Sequence, residues 1–129
     1  MEVKPIGDTF SQSVESDIIS ISDSKNGFVT VISTEDLSGQ ELEIEVSFPI
    51  ARAFRYLDEG DLIRYWESGH FSSGHHLYEI LSGGWSNGET LDPGMLSVSN
   101  SFGYREWFIC TTNGCVTVLS NDQPKVKIT

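Results

Sequence analysis

The stretch Tyr56–Glu79 holds His70, His75 and His76, all the histidines of the chain, together with Asp58, Glu59, Asp61, Glu67 and Glu79. Imidazoles and carboxylates are the side chains that bind zinc and move protons near neutral pH. A metal site would draw on His70, His75 or His76, and Glu79 or an aspartate. The spacing of these residues matches none of the helical zinc motifs. In a strand beginning at His75, His76 and Glu79 take opposite faces. Neither a metal nor a cofactor is therefore expected. Glycosidic chemistry would need two carboxylates on facing walls, with Asp58 or Glu59 as one of them. A small enzyme or ligand-binding domain using Asp58, Glu59, His75 and His76 is thus the alternative reading of this region. The neighbouring "FSSGHH" lacks the elbow of a serine nucleophile, and Cys115 has no identified base. "SGGWSNGE" lacks the lysine and helix start of a phosphate loop. No residue takes a catalytic role on this evidence.

Protein contact asks less of the same residues. Hot spots of binding favour Trp, Tyr and Arg, and "LIRYWESGH" and "SGGWSNGE" set such residues beside acids. The candidate partner-binding residues are Asp58, Glu59, Asp61, Glu67, Trp85 and Glu89. Trp85, in a glycine-rich loop, is the candidate anchor. Trp66 and Trp107 lie at helix or strand spacing and read as core.

The charge points the same way. Among 129 residues, 8 are basic and 19 acidic, for a net charge of −11. Such a field repels phosphate backbones and anionic membranes, so neither nucleic acid nor membrane is expected as a partner. It speeds encounter with a basic protein; the ordinary alternative is that it serves solubility. Residues 1–50 carry ten acids and two lysines, a net of −8. In "ELEIEVSF", Glu41, Glu43 and Glu45 share one face of a strand and Leu42, Ile44 and Val46 the other. The acidic stripe that results reads as a solvated face. The start, "MEVKPIGDTF", has no basic-then-apolar signal layout, and no apolar run reaches membrane-span length, so a cytoplasmic protein is expected.

The elements that position these residues are mostly strands. "SDIISIS", "GFVTVIST" and "ELEIEVSF" predict an antiparallel meander, its first turn at Asn26-Gly27. "PIARAFRYLDEG" fits either helix or strand at residues 50–57. "DEGDLIRYWES" predicts a short helix headed by acids. "HLYEIL", "GMLSVS", "REWFICTT", "GCVTVLS" and "KVKI" follow as strands. A two-residue type I′ turn at Asn113-Gly114 sets Thr112 opposite Cys115 and puts Cys110 diagonal to Cys115, about 7–8 Å away. That distance exceeds disulfide reach, so two free thiols are expected. The same hairpin puts Trp107, Ile109, Val116 and Val118 on one face and Phe108, Cys110, Cys115 and Leu119 on the other. Both faces are apolar, so the hairpin is central and covered on both sides. The expected fold is an α+β single domain over 1–129: mainly antiparallel β-sheet, able to curl towards a barrel, with one or two short helices. Residues 1–15 read as a loosely ordered N-terminal segment.

An acidic α+β chain with "FRYLDEGDL", "HHLYEILSGGW" and a closing "EWFICTTNGCVTVLSNDQPKV" resembles the single-domain immunity proteins of bacterial polymorphic toxin and contact-dependent growth inhibition systems. The resemblance is one of style, from Asp17 to Ile128. It implies a non-catalytic protein that binds and neutralises a cognate toxin domain, often a basic nuclease. It carries no site residue with it.

Overall fold

A computed structural model describes residues 1–11, 14–91 and 94–129. Among these residues nine strands form two antiparallel sheets. Strands β2 (Asp17–Ser24), β3 (Gly27–Glu35) and β4 (Glu41–Phe48) form the expected meander, and β9 (Lys125–Ile128) joins β4 to complete a four-stranded sheet. The five-stranded sheet runs β1 (Glu2–Thr9), β6 (His75–Ser82), β7 (Glu106–Cys110), β8 (Gly114–Leu119), β5 (Ala53–Asp58). Residues 50–57 thus resolve into a strand over most of their length. The N-terminal segment supplies β1, paired with β6, where a loose arm was expected; residues 12–13 of that segment lie outside the described residues.

The sheets stack through Phe28, Ile32, Ile44, Val46 and Phe48 of one and Leu77, Trp107, Ile109, Val116 and Val118 of the other. The opposite face of the five-stranded sheet buries Tyr78, Ile80, Phe108, Cys110 and Cys115 beneath Leu62 and Tyr65. Leu62 joins a 3₁₀ turn at Glu59–Asp61 to the short helix α1 (Ile63–Glu67), which carries Tyr65. The hairpin β7–β8 is therefore central and covered on both sides, as its two apolar faces require. Both sheets end in unjoined strands, β1 and β5 in one and β2 and β9 in the other, so they form an open sandwich and do not close into a barrel. Among the described residues no helix is long and apolar enough to cross a membrane.

Three local expectations are corrected. Cys110 stands directly opposite Cys115, because the turn spans Thr111–Gly114. Thr111 N–H donates to the Gly114 carbonyl (3.0 Å), and the Thr111 hydroxyl accepts from Gly114 N–H (3.0 Å). A type I′ turn needs positive φ at both central residues, and neither Asn113 nor Gly114 has it. The shift is an even number of residues, so the faces read from sequence survive. Both thiols are free.

In the first hairpin, Ser24 pairs with Gly27, which leaves Lys25 and Asn26 as the loop. The positive φ, +116°, falls on Gly27, where a Cβ would meet the Phe48 carbonyl oxygen at 2.6 Å.

"GMLSVS" is no strand; Ser97–Phe102 forms helix α2. Met95, Val98 and Phe102 recur at helical spacing, and Gly103 ends the helix in the left-handed conformation (φ 63°) that favours glycine there.

Candidate partner surface and the adjoining cavity

The acids of the "YLDEGDL" stretch sit where β5 gives way to α1. Asp58 ends the strand and caps the 3₁₀ turn, accepting from Gly60 N–H at 2.8 Å. Glu59 and Asp61 lie within that turn and Glu67 closes α1; all four carboxylates are exposed. The structure thus brings Asp58, Glu59 and Asp61 onto one turn, with Glu67 at the far end of the helix that follows.

Glu89 and Trp85 belong to a different assembly. Residues Trp85–Glu89 form a single π-helical turn. Glu89 accepts from Arg55 (2.6 Å) and from the Tyr65 hydroxyl (2.7 Å), with Arg64 at 3.7 Å. Trp85 is half-buried, with the Arg55 guanidinium 5.1 Å from its ring centroid. Burial, and then the bond to Glu89, push the Tyr65 hydroxyl well above the ordinary tyrosine range. Glu89 is already matched by arginine, and Trp85 lies against its own chain rather than standing free. This cluster locks the turn onto the sheet and α1.

The turn is held from below by Glu106, 1% exposed. Its carboxylate accepts from the backbone N–H groups of Trp85 (2.6 Å) and Ser86 (2.8 Å) and from the Ser86 hydroxyl (2.9 Å). A Cβ at Gly84 would run into that carboxylate, and one at Gly88 into the backbone of Gly83. The glycines of "SGGWSNGE" are there for close approach. Sequence reading missed Arg55 and Glu106 and took Tyr65 for a contact residue beside acids, whereas its hydroxyl is bonded to Glu89; only the glycines hinted at a tight turn.

The histidines divide. His75 and His76 line a cavity of about 300 Å³ with Phe10, Trp66, Phe71 and Cys110; His70 is exposed and does not line it. His76 Nδ1 lies 2.8 Å from the Cys110 carbonyl. A carbonyl only accepts, so Nδ1 carries the proton. Nε2 is buried and has no partner among the described residues. Burial holds the His76 pKa below its ordinary value, with the Cys110 bond acting against it. His75 Nδ1 bonds the Ser73 hydroxyl, which also reaches the Tyr78 hydroxyl, both at 2.8 Å. Asp58 and Glu59 do not line the cavity; the link to them is Trp66, whose indole donates to the Glu59 carbonyl at 2.7 Å. Glu79 is paired elsewhere, with Arg105 at 2.8 and 3.0 Å. Cys110 and Cys115 are protonated: burial pushes Cys115 up to about 12 and Cys110 higher still. Among the described residues no group of three or more His, Cys, Asp or Glu is placed to hold a metal ion.

No protein-family model matches this sequence, and neither a curated protein nor a solved structure matches it significantly.

Proposed function

We propose that this chain is a non-catalytic immunity protein that binds and neutralises a cognate, basic toxin domain, a nuclease being the kind whose charge fits best. The observation that carries the reading is the net charge of −11. Four of its carboxylates stand exposed over the Asp58–Glu67 turn and helix. Domains that handle phosphate backbones are commonly basic. An acidic inhibitor then gains fast association from long-range attraction, and slow release from close contact. The test is co-expression with the C-terminal domain encoded by the open reading frame directly upstream. A complex on pull-down and rescued growth are expected; no complex and no rescue would sink the reading. Within such a complex, charge reversal at Asp58, Glu59 and Asp61 weakens binding.

A second reading, a small enzyme or ligand-binding domain, draws on one observation: the cavity that holds His75 and His76. Its carboxylate half is missing, because Asp58 and Glu59 lie outside the lining. Zinc titration followed at the two imidazole resonances tests the metal form of this reading, and unmoved resonances remove it.

A further inference from the structure

The two sheets are unequal, and the inequality leaves part of one uncovered. The start of β2 lies against the β7–β8 turn: Ser16 N–H donates to the Thr112 hydroxyl (2.8 Å), and the Asn113 amide donates to Asp17 (2.6 Å). β2 is the last strand of its sheet, whereas β5 continues the other sheet one place beyond β8. Phe28 of β3 reaches one side of the Phe54 ring, and the rest of this face of β5 is left uncovered. Arg52, Phe54, Tyr56 and Asp58 alternate as the exposed side of this segment. Phe54 and Tyr56 point to the side that elsewhere is sandwich core: the Phe54 ring lies 4.7 Å from Phe28, and Tyr56 pairs with core residue Val116. Yet Phe54 is 41% and Tyr56 50% exposed. Among the described residues, β3 is the only strand paired with β2, so the other edge of β2 is open along Ser20–Ser24. Ile19 makes a bulge that spoils pairing only near the Asp17 end.

We infer that β2 accepts an extended segment of the partner as a fifth strand, which covers Phe54 and Tyr56 and completes the sandwich. The inference rests on the immunity reading and names the surface used. Main-chain hydrogen bonds to an open edge supply affinity, and alternate side chains of the added strand supply specificity. Its inward residues are apolar, to meet the two rings. Its basic residues belong at the end where Asp17, Asp58 and Glu59 gather, since Arg52 stands at the other end of β5. A second copy of this chain is the poorer occupant, because it brings another net charge of −11 to the same edge.

The experiment uses the full chain and the upstream-encoded toxin domain of the previous section. Hydrogen exchange is measured residue by residue, free and in complex. Protection is expected at Ser20–Ser24, with Phe54→Ser/Tyr56→Ser weakening binding about tenfold or more. Tyr56→Ser alone, at a half-exposed site, gives a smaller loss and guards against a folding defect. Leu37→Ser, in the exposed β3–β4 turn, leaves affinity unchanged. A complex that forms without protection of β2, or that binds the double variant normally, overturns the added strand and leaves the immunity reading standing. Protection that rises with this chain's own concentration, without toxin, overturns it in favour of a second copy. No complex at all ends both.

Discussion

Glu106 shows how one side chain can shape a surface it never reaches. Three donors converge on its buried carboxylate, and those donors fix the turn that carries Trp85 and Glu89. Glu106→Ala leaves them buried and unpaired, a loss on the order of 3 kcal/mol. Urea unfolding followed by fluorescence, with Trp85 newly exposed in the native baseline, checks this. His76 makes a prediction about acid. It is neutral when folded and holds a pKa below its ordinary value, so below about pH 6.5 the unfolded chain binds more protons than the folded one. Stability from this residue is therefore full at neutral pH and falls as pH drops from there towards the lowered folded value. The slope is at most about 1.4 kcal/mol per pH unit. His76→Phe removes that slope, read as the difference between wild-type and variant urea midpoints at about pH 7 and about pH 5.5.

Elements with a sustained period were legible; those decided by one turn were not. In β4 the alternation of Glu41, Glu43 and Glu45 with Ile44 and Val46 named both faces correctly, because a period of two holds over the whole strand. In "GMLSVS" the alternation is too short to hold a strand, and Ser97–Phe102 turns as a helix that buries none of its own residues. β1 carries Pro5 and Gly7, which weaken a strand pattern, and it stands because β1 is an edge strand, where proline is tolerated. The acids of the Asp58–Glu67 stretch could be placed on an exposed turn and helix from sequence. The bonding of Glu89 to Arg55, across 34 residues, could not, because nothing local encodes it. Gly27 yields a prediction at this scale. Gly27→Ala forces a side chain into positive φ and against the Phe48 carbonyl, so it costs about 2 kcal/mol or more. The loss is read from the thermal midpoint, with the β2–β3 hairpin the first segment to lose exchange protection.

At the scale of the whole molecule the charge is uneven, and the polar outer side of the four-stranded sheet carries the stripe Glu41, Glu43 and Glu45. Association with a basic toxin domain should slow steeply as salt rises, since the steering field is screened beyond about 8 Å at physiological ionic strength. Release should change far less. Stopped-flow rates across a salt series test both, and an association rate indifferent to salt removes the electrostatic part of the proposal. The middle layer has a further use. Cys110 and Cys115 face each other on it, both buried and protonated, with Cys110 at the wall of the histidine cavity. Cys115, beneath Leu62 and Tyr65 on the face turned away from the four-stranded sheet, meets a thiol reagent when that cap lifts, so the speed of its labelling becomes a clock for opening. Run with and without a bound partner, that clock reports how much longer the Leu62 and Tyr65 cap stays in place, with no altered residue.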